Sequence, residues 1–365
     1  MSSSSFYELS IKKINPEAAG AVAITFEIPV QLRENFLFEP GQFLTVRTTI
    51  QGNDIRRNYS VSSPRSKLIK KGELEIGIRP VQGGFFSNWA VTELRAGDKL
   101  KVMPPNGSFI SRKPEAIHRI GFAAGSGITP ILSIAATTLE EQFDSKFTLI
   151  YGNRKMSSVM FNESLQDLKD RFPDRFTMIH LFSQQVQEVD LFMGRIDDGK
   201  IKSILSTLIS AKSMDEVFIC GPEAMIEVAE KTLIDCGVPA EQIYSERFTT
   251  STTQTLQVQA DVEAVKKTAS TGKQIALTLI LDGKEHMLNI RSDEQLLDAA
   301  LNAGLDLPFS CKAGVCSTCR CKVLEGHVTM DKNFTLESDE ISQGFALSCQ
   351  ARATTEFLTI SFDHR

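Results

Sequence analysis

Apolar and polar positions follow three different rhythms along this chain. Up to about residue 112, the sequence is rich in β-branched residues and punctuated at Pro40-Gly41, Gly52-Asn53, Lys71-Gly72 and Gly83-Gly84. Short strands closed by tight turns predict a small antiparallel barrel. From about Ile117 to Phe248 the apolar runs are Ile120–Ala124, Phe147–Tyr151, Phe176–Phe182 and Val217–Cys220, separated by amphipathic stretches such as Ile131–Leu139 and Glu223–Cys236. This alternation predicts a doubly wound parallel sheet that takes its ligand at the C-terminal ends of the strands. Beyond Gln274, Ile275–Ile280 and Glu285–Ile290 flank Asp282-Gly283, a hairpin signal. A helix should follow, capped by Ser292 with Gln295, striped by Leu296, Leu297, Ala300 and Leu301, and closed by Gly304. A last strand is expected near Phe357–Phe362.

Between the second and third rhythms, Thr249–Gly272 is rich in Thr, Ser, Gln and Lys and poor in large apolar residues. It reads as a flexible tether, with a coil span of roughly 25–30 Å. The expected organisation is therefore a barrel at 1–113, an α/β domain at 114–248, a linker at 249–272 and an α+β domain at 273–365. A length of 365 residues suits two or three domains. No apolar stretch is long enough to span a bilayer. Met1-Ser-Ser-Ser-Ser-Phe-Tyr lacks a basic-then-apolar leader, so a cytoplasmic, reducing setting is expected.

Charge changes the picture at one place. Residues 274–365 carry 8 Lys and Arg against 13 Asp and Glu, whereas the rest carries 32 of each, so the net charge of −5 sits wholly on the last domain. An acidic face can steer docking onto a basic partner or simply keep a small domain soluble. With no basic stripe, nucleic acid is not an expected partner.

That last domain holds the most specific chemistry. Cys311, Cys316 and Cys319 lie in Cys-Lys-Ala-Gly-Val-Cys-Ser-Thr-Cys, with Cys349 farther on. This is the thiolate spacing of a plant-type 2Fe–2S cluster. A structural zinc site prefers two Cys-x-x-Cys knuckles, and only one is present. Gly314 suits a loop whose amides turn toward sulfur. Cys321, two residues past a ligand, is expected to point away as a small buried hydrophobe.

In the α/β domain, Gly125-Ser126-Gly127-Ile128-Thr129-Pro130 stands where strand meets helix, so its amides and the helix dipole can hold a pyrophosphate. Alone this is weak evidence. Cys220-Gly221-Pro222 ends a second strand and opens a helix. Arg154 and Lys155 follow the strand Phe147–Tyr151, where an NAD-specific protein would place an acidic residue. Cations there favour a 2′-phosphate, hence NADPH with NADH as the alternative; solvated surface cations are the bland reading. In the barrel, Arg56-Arg57-Asn58-Tyr59-Ser60 offers a cation, an aromatic and a hydroxyl on one extended segment, enough to meet a flavin. Gly83, Gly84 and Ser87 can form an amide nest for its pyrophosphate.

Taken in order, Pro40-Gly41-Gln42-Phe43, Arg57-x-Tyr59-Ser60, Gly84-x-x-Ser87, the Gly125–Pro130 loop and Cys220-Gly221-Pro222 resemble the ferredoxin–NADP reductase family. Glu246-Arg247-Phe248 resembles that family's terminal segment, and Gln274–Arg365 resembles a complete plant-type ferredoxin. The resemblance implies FAD, with FMN as the alternative. It implies that Arg57 contacts the flavin phosphates, Tyr59 packs on the ring, Ser60 lies near N5 and Cys220 near the nicotinamide. Phe248 would cover the flavin and move aside for nicotinamide.

The domain order resembles the reductase components of multicomponent oxygenases, most of all those of bacterial phenylacetyl-CoA epoxidases. Ring-hydroxylating, demethylating and steroid-hydroxylating systems share the same skeleton. The activity implied is electron transfer from NADPH through FAD and the 2Fe–2S cluster to an oxygenase component. Two alternatives are a free-standing ferredoxin reductase and a non-enzymatic 2Fe–2S sensor or carrier. The sensor would predict decay of the flavin and nucleotide motifs, and these are intact.

Overall fold

The computed structural model describes residues 6–248 and 272–364. All of the expected tether except Gly272 lies outside them. Two compact units make up the described chain. One is Tyr7–Leu44 with Tyr59–Phe248; the other is Phe6 and Thr45–Asn58 with residues 272–364.

The N-terminal strands are β1 (Tyr7–Pro16), β2 (Val22–Glu27), β3 (Phe43–Ile50), β4 (Asn53–Ser60), β5 (Glu73–Ile78) and β6 (Lys99–Val102), in the order β4-β3-β6-β1-β2-β5. Pairing of β1 with β2 and β6, and of β2 with β5, is antiparallel, as a barrel of short strands requires. The turn between β3 and β4 is centred one residue earlier than the sequence suggests, on Gln51 and Gly52, both at positive φ. Lys71-Gly72 is not a hairpin turn. It ends a helix, α1 (Arg65–Lys71), which Gly72 closes in the left-handed conformation with its N–H donating to the Leu68 carbonyl. A second helix, α2 (Phe85–Glu93), begins directly after Gly84.

The next segment folds as alternating strands β7 (His118–Ala124), β8 (Lys146–Asn153), β9 (Phe176–Phe182), β10 (Glu216–Gly221) and β11 (Ile243–Arg247) with helices α3 (Ile128–Glu141), α4 (Asn162–Arg171), α5 (Asp198–Thr207) and α6 (Glu223–Asp235). All four strand pairings are parallel, in the order β11-β10-β7-β8-β9. Period-two alternation sorts the core into two layers. Phe218 and Cys220 pack with α3 and α4, while Val217 and Ile219 pack with α5 and α6. The chain runs β7 to β9 on one side and places β10 and β11 on the other, so the crevice at the switch point opens between β7 and β10.

The C-terminal fold is a mixed sheet of β12 (Gln274–Leu281), β13 (Lys284–Arg291), β14 (Arg320–Glu325), β16 (Phe345–Leu347) and β18 (Phe357–Ser361), ordered β13-β12-β18-β14-β16, with β15 (Val328–Met330) paired to β17 (Ala351–Ala353). Asp282 and Gly283 both take positive φ, as a two-residue hairpin turn demands. The expected capping box does not form. The Ser292 N–H donates to the Lys273 carbonyl, and the helix opens only at Leu296, with no side-chain cap from Gln295. The Gln295 amide instead donates to Asp331. Leu296, Leu297 and Ala300 face the core, and Cys321 lies among them as a buried apolar residue.

Candidate functional site: two cofactor corners and four thiols

At the switch-point crevice, the glycine loop and β10 come into close backbone contact. A Cβ built on Gly127 would stand 2.1 Å from the Cys220 carbonyl oxygen, so only glycine fits. Thr129 is buried and donates to the Ser126 carbonyl at 3.1 Å, while the Tyr151 hydroxyl donates to the Gly125 carbonyl at 2.9 Å. These bonds tie the loop into a fixed turn ahead of α3. Arg79 brings a cation to the same place, with Nη1 2.9 Å from where a Cβ of Gly125 would stand. No motif signals this cation, because Arg79 follows β5, far away in the chain. Gly221 and Pro222 continue from β10, and Pro222 caps α6. Arg154 and Lys155 are exposed beyond the end of β8. A tight amide turn with a cation over it is the cradle that a pyrophosphate needs.

A second corner is built on Ser60. Its hydroxyl donates to Glu246 Oε2 at 2.8 Å. Glu246 pairs in register with Cys220 across β10 and β11, which brings hydroxyl, carboxyl and thiol to one end of the parallel sheet. Burial pushes the Glu246 carboxyl up to about 8, against the opposing pull of the Ser60 hydrogen bond. Burial, with the Glu246 charge second, also drives the Cys220 thiol well above its ordinary value, so it stays a neutral thiol. Phe248 follows β11 and is exposed. Nearby in the sequence, Arg57, Tyr59 and Ser60 lie on β4, and Tyr59 packs on Phe86 with ring centroids 5.6 Å apart. Ser87 is buried in the first turn of α2, and Gly83 takes a left-handed φ. A Cβ on Gly84 would stand 2.5 Å from both Ser87 Oγ and Val81 Cγ2 and would push those side chains aside. Sequence reasoning valued Phe248 and overlooked Glu246, whose chemistry arises only from strand register and burial.

The four thiols gather in the C-terminal unit as two pairs. Cys311 hydrogen-bonds Cys316, and Cys319 hydrogen-bonds Cys349. No disulfide forms, and all four are free. Among the described residues no three Cys, His, Asp or Glu side chains close around a single ion. Cys316 also lies close enough to Cys319 and Cys349 for their charges to interact, and a two-iron cluster would need all four thiolates. Within the pairs, hydrogen bonding from Cys311 pulls the Cys316 thiol down to about 6, and that from Cys319 lowers Cys349. The loop turns its amides inward through positive φ at Lys312, Gly314 and Ser317. The Ala313 N–H points at Cys311 Sγ from 3.3 Å, and the Gln350 side-chain amide at Cys349 Sγ from 3.7 Å. The donor set fits a 2Fe–2S cluster in number, pairing and hydrogen bonding.

Three family matches tile the chain. Residues 11–110 match an oxidoreductase FAD-binding domain, 122–231 an oxidoreductase NAD-binding domain and 279–354 a 2Fe–2S iron–sulfur cluster binding domain. A component of the 1,2-phenylacetyl-CoA epoxidase of Escherichia coli (strain K12) is 42% identical over 98% of both chains. The chain belongs to the ferredoxin–NADP reductase family, in its oxygenase-reductase form with a C-terminal 2Fe–2S domain. It is an NAD(P)H-dependent oxidoreductase.

A second relative, the ferredoxin reductase component of the 3-ketosteroid-9-alpha-monooxygenase of Rhodococcus rhodochrous, is 32% identical over 97% of this chain and 96% of its own. The fold is shared with phthalate dioxygenase reductase, a modular structure for electron transfer from pyridine nucleotides to a 2Fe–2S centre (TM-score 0.58, 20% identity, 98% of each chain). No helix among the described residues is long and apolar enough to cross a membrane.

Proposed function

We propose that this chain takes electrons from NADPH and delivers them singly, through FAD and a 2Fe–2S cluster, to the oxygenase component of a phenylacetyl-CoA epoxidase in the cytoplasm. The observation that carries the choice of partner is the 42% identity to the E. coli epoxidase component, which runs through all three domains. When bound, FAD supplies hydride acceptance and single-electron release, and the cluster carries one electron at a time.

The protein's part is to hold and orient. Arg57 and the Gly83–Ser87 turn hold the flavin phosphates, Tyr59 packs on the ring, and Ser60 directs its hydroxyl to the ring edge. Gly125, Gly127 and Thr129, with Arg79 above them, hold the nucleotide pyrophosphate. Cys220, Gly221 and Pro222 floor the nicotinamide pocket as neutral, close-fitting backbone and thiol, and Phe248 covers the flavin until nicotinamide displaces it. Cys311, Cys316, Cys319 and Cys349 hold the cluster. The three modules are 1–113, 114–248 and 273–365, joined at 249–272.

Glu246 gives this arrangement a pH dependence. A solvated glutamic acid releases its proton near 4.5, whereas Glu246 holds its own to about 8. Between those values the folded chain binds a proton that the unfolded chain has lost, so Glu246's contribution to stability falls as pH rises through the window. The same proton governs the site's charge: the neutral carboxyl still accepts from the Ser60 hydroxyl and places no negative charge beside Cys220, where the nicotinamide would lie. The rate at which NAD(P)H bleaches the flavin is expected to fall as pH climbs through about 8, and Glu246→Gln to flatten that profile. Stopped-flow absorbance across pH 6–9.5 checks both.

Cofactor choice is tested at Arg154. Removing a charged hydrogen-bond donor to a phosphate costs about 1.5–3 kcal/mol, or roughly 10- to 100-fold. Arg154→Ala should lower kcat/KM for NADPH by that factor and leave NADH nearly unchanged; equal losses with both nucleotides would contradict a 2′-phosphate role. The partner is tested by reconstitution. Turnover of phenylacetyl-CoA with purified epoxidase oxygenase subunits supports the proposal, and turnover only with a steroid or ring-hydroxylating oxygenase overturns that assignment.

A further inference from the structure

We propose that Asp306 is a positioning residue for electron transfer to the cluster, clamped by Arg47 and Arg56 so that the loop leading to Cys311 is fixed against the β3–β4 hairpin. This rests on the reductase reading above.

The clamp lies wholly within one compact unit, in which the hairpin segment Thr45–Asn58 groups with the C-terminal fold. Arg56 has a side chain only 3% exposed. Its Nη2 reaches Asp306 Oδ1 at 2.5 Å and its Nη1 the Leu307 carbonyl at 2.9 Å, while Nε and Nη2 both reach Asp54 Oδ2 at 3.3 Å. The guanidinium also lies 4.2 Å from the Phe309 ring centroid and 5.4 Å from that of Phe6. Arg47 holds the other oxygens, Asp54 Oδ1 at 2.8 Å and Asp306 Oδ2 at 2.9 Å. Asp306 is thus gripped by two guanidiniums that are themselves fixed by Asp54. Only the Arg56 guanidinium is buried, while the Asp306 carboxylate is 63% exposed, so these charge-assisted, directional bonds fix a geometry and add little stability.

What that geometry aligns is the face of β4. Side chains alternate along a strand, so Asp54, Arg56 and Asn58 share one face, and Arg57 and Tyr59 the other. On the first face, the Asn58 amide meets Thr318 Oγ1 at 3.4 Å, and its carbonyl accepts from Thr45 Oγ1 at 2.8 Å. Thr318 stands between Cys316 and Cys319 and is buried. A single side-chain contact therefore joins the residue next to Tyr59 to the residue next to a cluster ligand. In the step served, one electron leaves the reduced flavin and one ferric ion becomes ferrous, and the protein makes and breaks no bond.

The test compares wild type, Asp306→Asn, which removes the charge and keeps the shape, and Asp306→Glu, which keeps the charge. Iron and flavin content establish that each variant is folded and loaded. Hydrogen–deuterium exchange then follows residues 45–58 and 303–310, and anaerobic stopped flow follows flavin bleaching and cluster reduction as separate rates. Asp306→Asn should raise exchange in both segments and leave flavin bleaching by NAD(P)H unchanged. It should slow cluster reduction several-fold, because the rate of an electron transfer that makes no bond falls with the separation of donor and acceptor. Asp306→Glu should recover most of both. Unchanged exchange overturns the clamp. Raised exchange with unchanged cluster reduction overturns the positioning role. Wild-type flavin that bleaches with neither nucleotide counts against the reductase reading itself; photoreduction then supplies the electron, and the same cluster rate decides the clamp.

Discussion

Replacing Cys349 by alanine is expected to abolish the iron–sulfur absorption and the EPR signal of the reduced protein while NAD(P)H still bleaches the flavin. Cys349 is buried and pairs with Cys319, so its loss would leave the proposed cluster one thiolate short. Cys311 and Cys316 would not compensate, because in the proposed ligand set both thiols are already needed. Flavin bleaching persists because Ser60, Glu246, Cys220 and the glycine loop all belong to the other compact unit. Transfer to one-electron acceptors that require the cluster should disappear, and leakage to oxygen should account for what nucleotide consumption remains. Iron analysis, EPR of the dithionite-reduced variant and stopped-flow absorbance check the three parts separately. Cys321→Ala serves as the contrast: it sits in the core as an apolar residue and should keep the full cluster signal at a modest cost in stability.

The largest loss of stability is expected from Glu216→Ala. Glu216 and Arg119 are both fully buried, with Arg119 Nε 2.8 Å from Glu216 Oε2. The carboxylate also accepts from Ser111 Oγ at 2.7 Å and from the Arg112 and Lys113 amides at 2.8 and 3.1 Å. The guanidinium is satisfied in turn by the Ala116 and Lys113 carbonyls, Gln142 Oε1 and Ser111 Oγ. These bonds fasten the segment entering the parallel sheet to the first residues of β7 and β10. Removing the carboxylate strands a buried cation and three donors, a loss of about 3–5 kcal/mol. Replacing both partners, Arg119→Met with Glu216→Leu, should cost less than Glu216→Ala alone, because no buried charge is then left unpaired. Urea unfolding of the three proteins measures the order, and a double replacement worse than the single would contradict it.

The sequence announced what is local. The Cys311–Cys319 loop, the Gly125–Pro130 turn and Asp282-Gly283 each compress their chemistry into a few neighbouring residues, so spacing alone points to a shape. The strand–helix alternation from β7 onward was equally legible, because buried parallel strands are written as short apolar runs. Other features depend on partners far along the chain. Glu246 looks like an ordinary strand residue until register sets it beside Cys220 and burial raises its proton affinity. Arg56 looks interchangeable with Arg57 until Asp306, 250 residues away, claims it. The Ser292–Gln295 cap failed for the converse reason: a correct local pattern lost to a tertiary bond, since Ser292 gives its N–H to Lys273. Lys71-Gly72 carried a genuine left-handed glycine signal that suits a helix end as well as a hairpin, and α1 supplied the helix.

One chain carrying electrons from a nicotinamide nucleotide through a flavin to a 2Fe–2S cluster is the central claim. Anaerobic titration of the as-purified protein with NADPH and then NADH, followed by visible absorbance and low-temperature EPR, tests it most directly. The flavin band is expected to bleach and the rhombic signal of a reduced 2Fe–2S cluster to grow with it, sooner with NADPH. A flavin that bleaches fully while the cluster stays oxidised would contradict it.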